Sequence, residues 1–185
     1  AASIRPGWTS KTIGLIISDL ANPYYSTLAR AIEGVLAPRG YLLTTASSEE
    51  DGSVHDRLVD RLMEQRVDGL IVVPPRNRKR SWADAVPPVP PLVLLDRPAP
   101  EAEADTILAD NVGGVEAGTR ALIDAGARRI AFVGDSLAIY TMRERLRGYR
   151  GALQEASLHP DEALEFTSAH SVEDAAELVA RILAD

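Results

Sequence analysis

Four polar or aromatic residues closely follow the first apolar run of the chain, and they are of the types that bind sugars. The run covers residues 13–17, and Asp19, Asn22, Tyr24 and Tyr25 come after it. Adjacent tyrosines offer flat apolar faces and hydroxyls, while a carboxylate and an amide add hydrogen-bonding groups. A sugar ring needs this combination, because its C–H faces stack and its hydroxyls form hydrogen bonds. The pattern leaves open that one tyrosine simply packs against a sheet edge.

The residues around this set predict a strand, a short loop and a helix. Residues 13–17 are apolar throughout, as in a strand that is buried on both faces. Asn22 can cap a helix with its side-chain oxygen, and Pro23 suits the first helical position because no N–H is needed there. Ligands of open α/β sheets bind outside the carboxyl ends of the strands, which is where this set of residues falls. Apolar residues then recur at helical spacing, at Leu28, Ile32, Val35 and Leu36.

The rest of the chain alternates between apolar runs and helical periodicities. This alternation predicts an α/β fold with parallel sheets flanked by helices. Ser53 and Asn111 are placed to cap the second and third helices. The predicted strands are residues 41–46, 69–74, 92–97, 105–110, 130–134 and 164–166, and the further helices are residues 54–66, 111–125, 142–156 and 172–184.

Composition excludes several classes of function. The chain has 185 residues, 45% of them hydrophobic and 25% charged, which is typical of one globular domain or two small ones. It has no cysteine, and its three histidines lack zinc-ligand spacing, so no disulfide, metal or other cofactor is indicated. The net charge of −7 argues against nucleic-acid binding by this chain itself. No apolar run could span a membrane, and the basic residues 76–80 are interpreted as a solvated loop.

The order of several motifs resembles the effector-binding domain of LacI-type transcriptional regulators. Periplasmic sugar-binding proteins share the fold of that domain. The similarity extends over nearly the whole chain from about Ile4 onward. The motifs are Asn22-Pro23-Tyr24-Tyr25, Leu95-Asp96-Arg97, Asp110-Asn111-x-x-Gly114, the run from Gly126 to Gly134, and Arg145-x-x-Gly148-Tyr149.

This resemblance implies a periplasmic-binding-protein-like fold of type I, with two α/β lobes and a ligand between them. Residues 1–12 would be a linker or hinge remnant, residues 13–108 the first lobe, and residues 109–185 part of the second lobe. By the same comparison about 100 residues are missing, given ordinary domain sizes: several strands of the second lobe, the return crossing and the last elements of the first lobe. We therefore expect exposed apolar surface in the second lobe, which favours association or disorder.

The resemblance also implies a set of ligand-binding residues for a sugar or related polyol. Asp96 stands where the family has a ligand contact, and its carboxylate can accept from two hydroxyls. Arg145 stands three residues before Gly148-Tyr149, where the effector-contacting arginine of the family falls. The remaining expected site residues are Asp19, Asn22, Tyr24, Tyr25 and Ser136.

The implied function is effector sensing in a cytoplasmic regulator that is not an enzyme. In the family, effector binding changes operator affinity through lobe movement in a dimer. Homodimerisation is therefore expected, as is DNA binding through a helix-turn-helix absent from this chain. No membrane partner is expected. The short segment before Pro6 and the turn from Gly126 to Arg129 favour a regulator over the alternative. That alternative is a periplasmic sugar-binding protein of a transporter or chemoreceptor.

A remote enzymatic alternative comes from the sequence Gly134-Asp135-Ser136-Leu137, which spells the nucleophile motif of GDSL-type esterases. In those enzymes the motif lies near the start of the chain, and an Asp-x-x-His follows near the end. Here the motif lies far into the chain, and Asp-x-x-His is absent. A serine without a placed base is not an activated nucleophile.

Overall fold

Parallel strands alternate with helices in the computed structural model, which describes residues 9–77 and 90–184. The predicted linker at residues 1–12 and the basic run at residues 76–80 lie partly outside these ranges. The strands are β1 (Thr12–Ile17), β2 (Leu42–Ser47), β3 (Gly69–Val72), β4 (Leu92–Leu95), β5 (Asp105–Ile107), β6 (Phe132–Val133) and β7 (Glu165–Phe166). The helices are α1 (Pro23–Leu36), α2 (Gly52–Glu64), α3 (Asn111–Asp124), α4 (Tyr140–Glu155) and α5 (Val172–Ala184).

The chain divides into two compact units, which meet in sequence at Leu108 and Ala109. Unit 1 contains a five-stranded parallel sheet in the order β2-β1-β3-β4-β5. Leu15 and Ile17 pack with Tyr25 of α1, whereas Ile16 packs with residues of α2 such as Val59. Helices therefore cover both faces of β1, which explains its uninterrupted apolar sequence. The predicted parallel sheet with flanking helices is confirmed.

Unit 2 is built from a two-stranded parallel sheet, β6-β7, with α3, α4 and α5. Its buried core contains Ile130, Phe132, Leu146, Tyr149 and Leu153. The helices α3 and α4 approach closely because residue 148 is a glycine. A Cβ atom at Gly148 would lie 2.3 Å from the carbonyl oxygen of Val112.

The helix caps confirm one prediction and correct two. Asn22 caps α1 as predicted, since its side chain accepts a hydrogen bond from Tyr24 N. Asp51, not Ser53, caps α2 and accepts from two backbone N–H groups. Asp110, not Asn111, caps α3, and Asn111 is the first helical residue. In both corrected cases a carboxylate precedes the predicted cap, and its charge suits the positive end of the helix dipole better than a neutral side chain does.

Some predicted apolar faces are solvent-exposed. Val35 of α1 is 56% exposed, although Leu28 and Ile32 of the same helix pack in the core. In α5, which has the predicted bounds, Val179 and Leu183 are 42% and 81% exposed. Exposed apolar surface was expected in this unit, and these residues of α5 are part of it.

Candidate functional site

The carboxyl edge of the sheet in unit 1 brings together side chains from three strand ends. Asp96 and Arg97 follow β4, Ser18 follows β1, and Glu50 follows β2. All four lie within a hydrogen-bonded network that also includes Tyr25 of α1. Since the strands are parallel, their ends meet at this one edge. Polar groups that are distant in sequence thus become neighbours.

Asp96 is the centre of this network. Its side chain is buried, and Oδ2 accepts a hydrogen bond of 3.0 Å from the Tyr25 hydroxyl. Its backbone has a φ of +67°, a left-handed conformation that is uncommon for residues other than glycine. A non-glycine residue in this region is held there by its surroundings, and such residues cluster at functional sites. Asp96 is therefore conformationally constrained at the carboxyl edge, the edge at which open α/β sheets generally bind ligands.

The two tyrosines have different environments. Tyr25 is 3% exposed, and its side chain packs with Leu15 and Ile17. Burial, together with the nearby negative charge of Asp96, raises the pKa of Tyr25 to about 12. The phenol is consequently neutral, and its O–H donates a hydrogen bond to Asp96. Tyr24 is 41% exposed, and its ring meets that of Tyr25 edge-on at 5.2 Å between centroids.

Arg97 and Glu50 form a paired ion bridge beside Asp96. Nη2 of Arg97 lies 2.6 Å from Oε1 of Glu50, and Nη1 lies 2.9 Å from Oε2. Nη1 also donates to the carbonyl of Pro74 at 3.3 Å, and Nε lies 3.6 Å from Oδ2 of Asp96. Burial opposes the charge of both partners, but their mutual hydrogen bonds and attraction outweigh it. The pKa of Glu50 is therefore lowered and that of Arg97 raised.

Glu50 also ties together the loops that follow β2 and β3. Its Oε2 accepts from the backbone N–H of Arg76, and the side chain of Asn77 accepts from Gly52 N. Glu49 and Glu50 both have positive φ, at 49° and 58°. A turn with two consecutive non-glycine residues in this conformation needs support from its surroundings, and the bridge to Arg97 supplies it.

The other two residues expected at this edge serve the local backbone. Asp19 Oδ1 accepts a hydrogen bond of 2.7 Å from Ala21 N, and Asn22 Oδ1 accepts one of 3.0 Å from Tyr24 N. Asp19 is half-buried and Asn22 is exposed. Each keeps a second side-chain polar atom, so a ligand contact remains compatible with these roles.

Unit 2 places Arg145 on the inner side of α4, against α3. Its Nε donates a hydrogen bond of 2.8 Å to Oδ1 of Asn111, whose own Nδ2 donates to the carbonyl of Ala109. Arg145 lines an open cavity of about 790 Å³ with Gly114, Gly134 and Asp135. The buried amide of Asn111 thus orients the guanidinium without neutralising its charge.

Ser136 lies in the loop after β6, next to an acid–base pair. Its backbone N–H donates to Asp135 Oδ1, and its hydroxyl accepts from Ala138 N. Asp135 is also paired with His170 Nδ1, which comes from the segment after β7. Ser136 and His170 do not line the cavity of Arg145, whereas Asp135 does.

Five residues at these edges were missing from the predicted site: Ser18, Glu50, Arg97, Asp135 and His170. Each follows a strand end in the same way as Asp96, so the rule that identified Asp96 could have found them. The signal was weaker for Glu50 and His170. Glu50 is one of three consecutive acidic residues, and His170 follows a strand of only two residues.

The described residues show neither a metal centre nor a membrane span. No group of three or more His, Cys, Asp or Glu side chains within residues 9–77 and 90–184 is placed to hold a metal ion. None of the helices in those ranges combines the length and the apolar character required to cross a bilayer.

Comparison with known proteins agrees with the fold. The model of a family described as periplasmic binding proteins and sugar binding domain of the LacI family matches residues 10–185. The ribose operon repressor of Escherichia coli (strain K12) is 34% identical over 158 residues, which cover 84% of this chain and 48% of that protein. The chain thus spans about half the length of the curated relatives it matches.

Two solved structures show the same architecture. The transcription regulator GntR from Chromobacterium violaceum has a TM-score of 0.80 at 27% identity, over 94% of this chain and 64% of that chain. A complex of the transcriptional regulator CelR with cellobiose has a TM-score of 0.70 at 30% identity, over 88% of this chain and 52% of that chain. The predicted periplasmic-binding-protein-like fold is confirmed.

Proposed function

The chain belongs to the family of periplasmic binding proteins and LacI-type sugar-binding domains, and on that premise we propose that it is the effector-sensing part of a bacterial transcriptional regulator. Its relatives are transcriptional repressors and regulators, one of them named for the ribose operon. The proposed effector is a sugar or related polyol.

The observation that carries the proposal is the buried Tyr25–Asp96 contact at the carboxyl edge of unit 1. A carboxylate held by a neutral phenol has one oxygen engaged and keeps the other as an acceptor for ligand hydroxyls. The position of the Asp96 carboxylate is fixed, because the side chain is buried and the backbone is constrained in a left-handed conformation. A preorganised acceptor of this kind binds without the entropy cost of ordering a mobile side chain.

The remaining site residues have distinct proposed roles. Tyr24 presents an exposed aromatic face for the C–H side of a sugar ring. Arg145, oriented by Asn111, donates hydrogen bonds to ligand oxygens from unit 2. Asp19 and Asn22 add polar contacts in unit 1, and Ser136 adds one in unit 2.

The regulatory output is proposed from the family alone. An effector changes DNA affinity only through its different affinities for two states of the regulator. We propose that this chain acts as a homodimer in the cytoplasm, and that operator DNA is bound by a separate helix-turn-helix domain rather than by this acidic chain. We propose no catalytic role for Ser136, because no base among the described residues accepts a hydrogen bond from its hydroxyl, and His170 is paired with Asp135 instead.

Isothermal titration calorimetry of this chain with D-ribose and with cellobiose tests the proposal. We expect saturable binding of at least one sugar. Asp96→Asn should weaken it by about tenfold or more, since a charged acceptor is lost and about 1.4 kcal/mol corresponds to tenfold. Asparagine tolerates a positive φ and can still accept from Tyr25, so the fold is retained.

The matched controls are Asp105→Asn and Arg143→Gln. Asp105 is exposed on the edge strand β5, and Arg143 lies on α4 but donates to the carbonyls of Leu137 and Ala138. Both should bind sugar like the unmodified chain, whereas Arg145→Gln should bind more weakly. Equal affinities for Asp96→Asn and Asp105→Asn would remove Asp96 from the site.

A further inference from the structure

We infer that Glu50 is a positioning residue for ligand binding, which keeps the carboxylate of Asp96 available by holding the guanidinium of Arg97 away from it. The inference rests on the proposed function, because it assigns a role to a further residue at the same edge of unit 1. All three side chains belong to that unit, and the way in which they are paired carries the inference.

Asp96 and Arg97 are consecutive residues whose side chains lie side by side. Nε of Arg97 lies 3.6 Å from Oδ2 of Asp96, and both side chains are buried. An arginine and a carboxylate this close form paired hydrogen bonds when nothing else engages them, because the planar guanidinium matches the two carboxylate oxygens. Such a pair would occupy the oxygens that the proposed site offers to ligand hydroxyls.

Glu50 prevents this pair by engaging both terminal nitrogens of the guanidinium. Nη2 of Arg97 lies 2.6 Å from Oε1 of Glu50, and Nη1 lies 2.9 Å from Oε2 and donates to the carbonyl of Pro74 as well. Nε is left facing Asp96 at a distance too long for a hydrogen bond, and it has no acceptor among the described residues. The guanidinium is therefore turned towards Glu50 and away from Asp96.

The carboxylate of Glu50 is itself held in the position that this role requires. Its Oε2 accepts a hydrogen bond from Arg76 N, and its backbone has a φ of 58°. The neighbouring hydrogen bond from Gly52 N to Oδ1 of Asn77 fixes the same two loops to each other. Burial opposes the charge of Glu50, but the hydrogen bonds and the charge of Arg97 outweigh burial and lower the pKa of Glu50. Glu50 is thus ionised at neutral pH.

With Arg97 held by Glu50, Asp96 is contacted by a neutral donor instead. The Tyr25 hydroxyl donates a hydrogen bond of 3.0 Å to Oδ2 of Asp96. A phenol engages one oxygen and leaves the negative charge of the carboxylate in place, whereas a guanidinium would engage both oxygens and neutralise that charge. Glu50 therefore acts on the ligand site through Arg97, without contacting the ligand.

The first experiment is a crystal structure of Glu50→Gln, which needs no sugar. Glutamine keeps the length of glutamate but lacks the charge that attracts Arg97, so we expect two guanidinium nitrogens within about 3.2 Å of the Asp96 oxygens. Glu49→Gln is the matched control, because Glu49 belongs to the same turn but is exposed and contacts Ser47. Its structure should keep Arg97 paired with Glu50. A guanidinium that remains unpaired with Asp96 in the Glu50→Gln structure would overturn the inference.

The second experiment measures sugar binding by calorimetry, with D-ribose or cellobiose, whichever the unmodified chain binds. Glu50→Gln should weaken binding by about tenfold or more, because Arg97 then occupies Asp96. Adding Arg97→Gln to Glu50→Gln removes the competing guanidinium, so the double variant should bind more tightly than Glu50→Gln alone. Glu49→Gln should bind like the unmodified chain. If Glu50 served only to support its turn, a second substitution at residue 97 would not restore binding.

The outcomes separate the role of Glu50 from the proposed function. A double variant that binds no more tightly than Glu50→Gln would overturn the inference and leave sugar sensing intact. If Glu50→Gln does not fold, the double variant decides, because it buries no charge of a broken pair and should fold. It should then bind sugar, and loss of binding would overturn the inference. Binding of neither sugar by the unmodified chain would reject the proposed function, and the inference with it.

Discussion

The two units place their candidate residues at strand ends in different ways. In unit 1 the carboxylate of Asp96 is buried and held by Tyr25, while Arg97 and Glu50 neutralise each other beside it. In unit 2 Arg145 is half-buried, and a single neutral amide orients it. Unit 1 therefore presents a hydrogen-bond acceptor whose position is fixed by its surroundings. Unit 2 presents a hydrogen-bond donor that is less constrained.

The two sheets differ in the number of strand ends that meet at their carboxyl edges. A five-stranded sheet covered on both faces can hold buried charges, because many strand ends meet at its edge. The two-stranded sheet of unit 2 offers fewer such positions, and its polar residues at that edge are more exposed. Changes to the buried charged residues at this edge of unit 1 should consequently affect folding and binding together.

The largest effect expected is that of Arg97→Leu in unit 1. Removal of the guanidinium leaves Glu50 and Asp96 without their counter-charge, and breaking a buried pair typically costs about 3–5 kcal/mol. Because Glu50 is partly accessible, we expect about 3 kcal/mol, measured by urea unfolding at neutral pH. The pair also depends on ionised Glu50, whose pKa is lowered in the fold, so its contribution is lost as the pH falls below the ordinary carboxyl value of 4.5.

Arg120→Leu is the matched control in unit 2. Arg120 contacts Glu116 and Glu155, but it is exposed, so water replaces these contacts at little cost. The midpoint of urea unfolding of the Arg120→Leu variant should stay close to that of the unmodified chain. Similar destabilisation by both substitutions would remove the distinction between the two units.

Gly148→Ala should destabilise unit 2 through a steric clash rather than through the loss of a charge. The added methyl group would lie 2.3 Å from the Val112 carbonyl and would push α4 away from α3. Overpacking of this kind costs about 1–3 kcal/mol, and displacement of α4 should also weaken sugar binding through Arg145. Gly151→Ala on the same helix meets nothing within 4 Å and should raise stability by about 0.5–1 kcal/mol instead. Thermal unfolding distinguishes the two variants by the sign of the shift.

Tyr25→Phe should remove a late-titrating phenol from unit 1. The raised pKa means that folding favours the neutral phenol, so its contribution to stability is complete below pH 10 and is lost as the pH rises towards 12. A shift of this size corresponds to roughly 3 kcal/mol. Absorbance titration of tyrosinate should show the highest-pH transition disappearing in Tyr25→Phe. If Tyr149→Phe removed that same transition instead, the assignment to Tyr25 would be wrong.

The smallest effects are expected for substitutions of the residues that cap α2 and α3. Asp51→Ala in unit 1 removes two hydrogen bonds to the backbone of α2, whereas Asp110→Ala in unit 2 removes one from α3. Each substitution should cost about 1 kcal/mol, with the larger loss at Asp51. Urea unfolding of both variants measures the order, and a larger loss at Asp110 would contradict it.

The fold was predictable because local patterns and the global architecture agree. The apolar run of β1 and the Asn22-Pro23 helix start are explicit signals, and the structure confirms both. Short strands were less well defined: residues 130–134 were predicted as a strand, but β6 contains only Phe132–Val133. The order of strands within a sheet depends on long-range pairing, which a single sequence does not express.

The positions of the site residues at strand ends were predictable, but the hydrogen bonds and ion pairs between these residues were not. Asp96 was identified as a candidate, yet nothing in the sequence indicates that Tyr25, 71 residues away, holds it. Glu50 and Arg97 are 47 residues apart, and each resembles an ordinary surface charge when read alone. Pairing of charges across strand ends requires the register of the sheet, so only the structure reveals which charges are already neutralised.

The most direct test of sugar sensing is an amide chemical-shift titration of the ¹⁵N-labelled chain with D-ribose. The account predicts saturable shifts concentrated in the segments after β1, β4 and β6 and around Arg145 of α4. Saturable shifts located elsewhere would contradict it.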